Sequence, residues 1–305
     1  MNHKSGYVNI VGRPNVGKST LLNALIGQKL AIVTHKAQTT RHRILAFLND
    51  DNYQIIFSDT PGILIPNYKL HERMMTYVDD AMQDADVLLL MTDINENIDK
   101  TLELDEWKKA IKVIKNKQVP VILLLNKIDL AVDEEQITNI IAKWHKKLVP
   151  FIGEEKVDII PIAAEHKKNL EAIMDKIIDN LPEGPPYFPK DQITDRPERF
   201  IVSEVVREKI FFLFKEEIPY STDVSIVTFK EDDDIIRLEA EIVVERQSQK
   251  PIIIGKNGKA IKKIGVEARK DLEHYFNKKV FLKLYVKVRD DWRDKNSHLR
   301  NFGYI

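Results

Sequence analysis

Four short clusters bring together residue types that can handle a nucleoside polyphosphate. Gly12-Arg13-Pro14-Asn15-Val16-Gly17-Lys18-Ser19 reads G-x-x-x-x-G-K-S, with Thr20 next in line. Glycines at these positions let backbone N–H groups close around anionic oxygens, the lysine reaches the outer phosphates, and the hydroxyl faces Mg2+. Asp59-Thr60-Pro61-Gly62 follows about forty residues later. A carboxylate at a strand end holds Mg2+ through water, and a glycine N–H can meet a terminal phosphate. Asn126-Lys127-Ile128-Asp129 supplies a carboxylate able to accept from guanine N1–H and its exocyclic amine, and a lysine stem to cover the base. Adenine has no donor at N1 and would leave that acceptor unpaired, so guanine is the expected base. Gln38-Thr39-Thr40-Arg41 lies in a stretch without periodicity, where a hydroxyl could complete the Mg2+ shell only while a third phosphate is bound. Such a loop is a switch. Lys18, Thr40, Asp59 and Gly62 are the candidate hydrolytic residues, and Ser19, Thr40 and Asp59 the candidate metal ligands.

These clusters need elements to hold them. Apolar runs at 7–11, 44–48, 53–58, 86–92, 120–125 and 157–162 read as strands, and amphipathic stretches at 18–26, 69–83, 100–117, 133–147 and 169–180 as helices. The alternation predicts an α/β domain over residues 1–181, a mostly parallel sheet with helices on both faces. The clusters at Gly12–Ser19, Asp59–Gly62 and Asn126–Asp129 each follow a strand, the side on which such sheets bind ligands. Residues 182–199 hold five of the chain's 13 prolines and are expected to form a stiff, extended linker.

Residues 200–305 have another rhythm, α-β-β-α-α-β, with helices at 200–215 and 259–276 and strands at 222–229, 235–244 and 279–288. Between Lys250 and Arg289 there are twelve Lys and Arg against three Asp and Glu, although the whole chain is neutral. A basic block of that kind points to a polyanion. At its centre stands Ile253-Ile254-Gly255-Lys256-Asn257-Gly258-Lys259, with Lys262 and Lys263 following. Two glycines let the backbone approach a sugar-phosphate chain, the lysines neutralise it, and Ile253 and Ile254 are expected to line a groove for unstacked bases. Phe211 and Phe212 are expected in the core, Trp107 and Trp144 between helices, and Trp292, Phe302 and Tyr304 against the C-terminus.

Together the four clusters resemble the translation-factor-related branch of P-loop GTPases. That resemblance implies that Lys18 contacts the outer phosphates, Ser19 and Thr40 ligate Mg2+, Gly62 senses the γ-phosphate, and Asn126 and Asp129 read guanine. The fifth motif of these proteins falls at Ala163-Ala164-Glu165, where Ala163 replaces the usual serine and the Ala164 backbone is expected to meet the base oxygen. Ile63 stands where Ras-like enzymes carry a water-orienting glutamine, so slow intrinsic hydrolysis is expected. Asn15 resembles the asparagine of GTPases in which K+ bridges the phosphates, and K+ stimulation is expected. The I-G-x-x-G core and the element order resemble a type II KH domain, an α+β fold.

The whole arrangement, with Ala37-Gln38-Thr39-Thr40-Arg41, the linker Leu181-Pro182-Glu183-Gly184-Pro185-Pro186, Asp195-Arg196-Pro197-Glu198-Arg199 and the tail Lys287-Val288-Arg289-Asp290-Asp291-Trp292-Arg293, resembles the Era family of bacterial GTPases. Ala163 and the pair His166-Lys167, in place of a glycine-containing turn, depart from it. The resemblance implies a monomeric GTP/GDP switch that grips the 3′ end of 16S rRNA in the maturing 30S subunit, with RNA stimulating hydrolysis. It alone implies peripheral attachment to the inner face of the cell membrane. Two other readings stand beside it. One is a GTPase of tRNA modification or large-subunit assembly with a generic RNA anchor. The other is a binding module with a structural nucleotide, against which the intact Lys18, Ser19 and Asp59 argue. The 305 residues contain no cysteine, no signal peptide is legible in Met1–Tyr7, and no run reaches the ~18 apolar residues of a membrane span, so a cytoplasmic protein is expected.

Overall fold

The computed structural model describes residues 3–34, 36, 38–117, 119–153 and 157–305. Ala37, quoted above, lies outside them. The chain divides into two compact units. One comprises Met1–Ala31, Thr40–Ile65 and Met74–Asp195, the other Ile32–Thr39, Pro66–Arg73 and Arg196–Ile305.

The first unit is built on six strands: β1 (Lys4–Gly12), β2 (Ile44–Asn49), β3 (Tyr53–Asp59), β4 (Val87–Asp93), β5 (Val121–Asn126) and β6 (Val157–Pro161). Their order is β2-β3-β1-β4-β5-β6, and β2 alone runs antiparallel to its neighbour. Ile10 lies opposite Asp59, Gly12 opposite Met91, and Asp93 opposite Asn126. Parallel pairing in this register delivers the ends of β1, β3, β4 and β5, and the clusters that follow them, to one edge of the sheet. The central strands are apolar at consecutive positions because both faces are covered. Val11, Leu88, Leu90, Leu123 and Leu125 pack in one core cluster with Val78, Trp107, Ile114, Trp144 and Leu148. Strand residues of the other parity, Ile10, Leu89, Ile122 and Leu124, are as fully buried.

The helices are α1 (Lys18–Ile26), α2 (Lys69–Asp84), α3 (Ile98–Glu103), α4 (Asp105–Lys117), α5 (Glu134–Ile152) and α6 (Leu170–Asn180). The stretch read as one helix over 100–117 is two, because Leu104 leaves the helical region at φ −66°, ψ 139°. No glycine or proline marks that break. Conversely, α5 runs on to Ile152 with Pro150 inside its last turn, where the sequence suggested an end at 147. The Trp107 and Trp144 rings stack at 5.0 Å.

The Pro-rich stretch bends at Tyr187–Phe188, turns at Lys190–Asp191, and through Asp195 belongs to the first unit. Gly184 N–H donates to His3 O at 2.9 Å and Phe47 N–H to Ile193 O at 2.9 Å. The buried Gln54 amide accepts from Tyr187 and Phe188 N–H and donates to Phe188 O. Phe188 stacks on Phe47 with centroids 4.2 Å apart.

The second unit contains α7 (Glu198–Leu213), β7 (Thr222–Glu231), β8 (Ile235–Val244), α8 (Lys250–Ile254), α9 (Lys259–Phe276), β9 (Lys279–Val288) and α10 (Asn296–Asn301). β7 pairs antiparallel with β8, and β8 parallel with β9. A parallel return needs a long crossover, which α8 and α9 supply. Val202, Val206 and Ile210 of α7 and Ile264, Ala268 and Leu272 of α9 pack on Leu238, Ala240 and Ile242 of β8. The helices that share this core therefore cover a single face of the sheet, the α+β arrangement expected. Phe211 is in the core, but Phe212 is 58% exposed. Successive positions on a helix point 100° apart, and α7 has only one face against the sheet. Trp292 and Tyr304 are buried in the tail, donating to Ser221 O and Asp223 Oδ2 at 2.9 and 2.7 Å.

Candidate nucleotide and nucleic-acid sites

The Gly12–Ser19 loop leaves β1 and enters α1 through Gly17 at φ 107°, a conformation that glycine adopts at little cost. A Cβ there would also meet Asn126 Nδ2 at 2.3 Å. Asn15, exposed on the loop, has a left-handed backbone at φ 65°. Lys18 Nζ donates to Gly12 O and Arg13 O at 2.9 Å each and is buried, which lowers its pKa to about 8 despite the negative charges of Asp59 and Glu96.

Three predicted metal ligands, distant in sequence, converge. Ser19 Oγ donates to Asp59 Oδ2 at 2.7 Å, Thr40 Oγ1 lies 3.0 Å from Ser19 Oγ, and Thr40 donates to Asp59 Oδ2 at 3.3 Å. Asp59 is wholly buried, and its Oδ1 has no hydrogen-bond partner among the described residues. Burial pushes this carboxyl's pKa up, opposed by the Ser19 hydrogen bond and the Lys18 charge. A buried carboxylate with a spare oxygen beside two hydroxyls is a donor set fitted to Mg2+, a hard cation that takes oxygen ligands. Thr60 ties this segment to β1 by donating to Ile10 O at 3.1 Å. Gly62 is needed for close approach: a Cβ on it would lie 2.8 Å from Pro14 Cγ. Ile63 packs on the apolar core, and its side chain has no polar atom with which to orient water.

Asn126 bridges the Gly12–Ser19 loop and the Ala163–Glu165 turn. Its Nδ2 donates to Val16 O at 2.7 Å, and its Oδ1 accepts from Ala164 N–H at 3.0 Å. The Ala164 N–H, expected to face the base oxygen, is therefore engaged by Asn126 in this structure. One amide hydrogen of Asn126 remains for a ligand. Lys127 is held by Asp93 Oδ2 at 3.0 Å, leaving its stem to lie along a base. Asp129 is exposed beyond β5, with His166 Nε2 3.7 Å from its Oδ2. The turn carrying Ala163, Ala164 and Glu165 closes through a bridge between Ala163 and Lys168, and Lys167 takes φ 53° in place of a glycine.

Three buried or paired side chains escaped the sequence reading. Glu96 pairs with Arg13 at 3.1 Å and accepts from Thr92 at 2.6 Å. Asp93 positions Lys127. Within the second unit, and apart from the nucleotide site, buried Arg207 pairs with Glu204 and donates to Thr39 O. The end of β4 was a legible signal for Asp93, but nothing in the sequence marked the long-range partners of Glu96 and Arg207.

In the second unit, the turn Gly255–Gly258 joins α8 to α9. Gly255 and Gly258 both sit at φ 74°, and Asn257 at φ 54°. A Cβ on Gly255 would strike Ala260 Cβ at 2.6 Å, whereas one on Gly258 would meet nothing within 4 Å. Lys256, Lys259, Lys262 and Lys263 are exposed, and α9 begins with no side-chain cap, leaving its first N–H groups open to an anion. Ile253 does not line a groove: it is 0% exposed and packs in the core. The one-turn helix α8 rotates Ile252 outward instead, with Ile254 intermediate.

The fold and the clustered motifs define a P-loop GTPase with a C-terminal KH domain. The model of the 50S ribosome-binding GTPase family matches residues 7–127, and that of the KH domain residues 217–293. GTPase Era of Staphylococcus epidermidis is 44% identical over 304 residues, 99% of this chain and 98% of the relative. The crystal structure of Era in complex with MgGDPNP and nucleotides 1506–1542 of 16S ribosomal RNA is 42% identical, with a TM-score of 0.91 over 99% of both chains. A variant of Aquifex aeolicus Era bound to GDP·AlF4− is 41% identical, again at 0.91 and 99% of both chains. The chain belongs to the Era family of GTPases. No described helix is long and apolar enough to cross a membrane.

Proposed function

We propose that this GTPase binds GTP with Mg2+ along the Gly12–Thr20 loop and binds the single-stranded 3′ end of 16S rRNA through the Gly255–Gly258 turn and its lysines, acting in 30S subunit assembly in the cytoplasm. The observation that carries the nucleotide half is the convergence of Ser19, Thr40 and Asp59 around an unpartnered buried carboxylate oxygen. In this reading Lys18 neutralises the outer phosphates, and Gly62, close against Pro14, offers its N–H to the third. Thr40 distinguishes GTP from GDP because a third phosphate and its metal add to the Ser19 and Asp59 contacts that hold its hydroxyl. Asp129 reads guanine while Asn126 holds the loop and the base turn in register. When bound, Mg2+ supplies charge neutralisation for the transferring phosphoryl group. Ile63 leaves water-positioning to another group, so hydrolysis is slow until RNA arrives. Asn15 is the candidate contact for K+.

The RNA half rests on the exposed lysines of the turn and on whole-chain similarity to an Era structure containing 16S rRNA nucleotides 1506–1542. The test is GTP turnover with and without a 3′-terminal 16S rRNA oligomer, in K+ and in Na+ buffer. Stimulation by RNA supports the reading; equal turnover with and without the oligomer counts against it. Stronger turnover with a tRNA or a 23S fragment would move the function to another RNA. Equal turnover in K+ and Na+ with RNA present would remove only the K+ contact.

A further inference from the structure

The outward face of β9 carries a pattern that the nucleotide site and the Gly255–Gly258 turn do not explain. Lys279, Phe281, Lys283, Tyr285 and Lys287 alternate with Val280, Leu282, Leu284, Val286 and Val288. The second set packs on the core under α7 and α9. Side chains on a strand alternate between faces, so the first set projects from the opposite side of the sheet. Phe281 is 50% and Tyr285 39% exposed, and Lys283 Nζ stands 4.9 Å from the centre of the Tyr285 ring. β9 is an edge strand. Lysines alone would be the ordinary protection of such an edge, but two bare rings between them defeat that purpose.

Alternating rings and cations are what a single strand of nucleic acid needs: flat faces for bases, charges for the phosphates between them. The rings are four residues apart, about 13 Å along the strand, with Lys283 between. On neighbouring β8, Arg237 lies opposite Phe281 and pairs with Asp232 at 3.2 Å. Glu239 and Glu241 lie opposite Lys283 and Tyr285; Glu239 stands 3.9 Å from Lys283, and Glu241 pairs with Lys287. Those carboxylates weaken a general attraction to anionic surfaces, so the rings must contribute, which favours unstacked bases over a lipid headgroup layer.

We propose that the outward face of β9 is a second RNA-binding platform, on which Phe281 and Tyr285 stack bases and Lys279, Lys283 and Lys287 neutralise the backbone. It rests on the RNA reading of the second unit and extends it. A KH turn clamps about four nucleotides, so a longer single strand engages both surfaces and a short one only the turn.

The experiment measures fluorescence anisotropy of the full chain with two 3′-terminal 16S rRNA oligomers, one of about four to six nucleotides and one several times longer. The expected result is that the double variant Phe281→Ala/Tyr285→Ala loses about tenfold or more in affinity for the long oligomer, while the short one binds as before. Lys283→Glu, a surface change that spares the rings, should weaken the long oligomer several-fold, and thermal melting checks that each variant folds. Unchanged affinity of both variants for the long oligomer overturns the proposal. So does loss of binding to anionic phosphatidylglycerol vesicles with RNA affinity intact, which would give the face to a membrane. If the wild-type chain binds neither oligomer, the RNA reading itself fails. Gly258→Asp, disabling the turn, should abolish short-oligomer binding and leave part of the long-oligomer affinity.

Discussion

The Ser19 hydroxyl donates to Asp59 Oδ2 at 2.7 Å, joining the start of α1 to the end of β3 across forty residues of sequence. The same carboxylate is fully buried with one oxygen unpartnered. Asp59→Asn keeps its shape and removes its charge. The expected outcome is loss of the Mg2+-dependent part of GTP affinity and at least a hundredfold fall in turnover, a size typical of one missing electrostatic group in a phosphoryl-transfer site. The nucleotide-free protein should melt no lower than wild type, because a desolvated charge has been neutralised. Titration of a fluorescent GTP analogue with and without Mg2+, beside a melting curve, checks both.

Lys18 gives a pH signature. The unfolded lysine titrates near 10.5 and the folded, nucleotide-free one near 8. Between those values the unfolded chain holds the extra proton, so stability of the empty protein rises from about pH 8 to about 10.5. Below pH 8 the buried ammonium is a constant cost. Phosphates beside Lys18 favour its charged form, so nucleotide binding above pH 8 takes up a proton and weakens as pH rises. Calorimetry of GDP binding at pH 8.5 in two buffers of different ionisation enthalpy should give different apparent enthalpies for wild type and equal ones for Lys18→Met.

Base choice should follow Asp129. Asp129→Asn exchanges an acceptor pair for a donor and an acceptor, which suits xanthine better than guanine. GTP affinity should fall by at least tenfold while XTP affinity rises above that of wild type. A variant that weakens both nucleotides alike would mean that the carboxylate holds the loop and does not read the base.

The two turn glycines should separate. Gly255→Ala meets Ala260 at 2.6 Å with φ at 74°, so a loss of ~1–3 kcal/mol in stability of the second unit is expected. Gly258→Asp shares the φ of 74° but meets no atom within 4 Å, so it should cost less stability than Gly255→Ala and keep the fold, while affinity for the short RNA oligomer disappears through repulsion and occlusion of the backbone. Nucleotide binding should be intact in Gly258→Asp; loss of both activities would contradict independent sites. Chemical denaturation and anisotropy distinguish the two variants.

The convergence of the candidate nucleotide-site clusters was legible in the sequence because its parts are backbone devices with rigid spacing. Gly12, Gly17, Lys18 and Asp59 keep their meaning wherever a strand precedes them, and the parallel register gathers them without further instruction. Side-chain direction on short elements was less legible. Ile252 and Ile253 are neighbours of identical chemistry, and only the single turn of α8 decides which enters the core. Phe211 and Phe212 differ for the same reason. Bracing contacts such as Glu96 to Arg13, or Asn126 to Ala164, join residues tens of positions apart, and composition holds no trace of them.

The stacked Phe47–Phe188 pair and the hydrogen bond from Phe47 to Ile193 have a practical corollary. β2 is the outer strand of its sheet, and the Pro-rich chain running beside it is what shields its free backbone and ring. A fragment stopped at Leu181 would present that bare border to other molecules and tend to self-associate. One carried through Asp195 would stay dispersed.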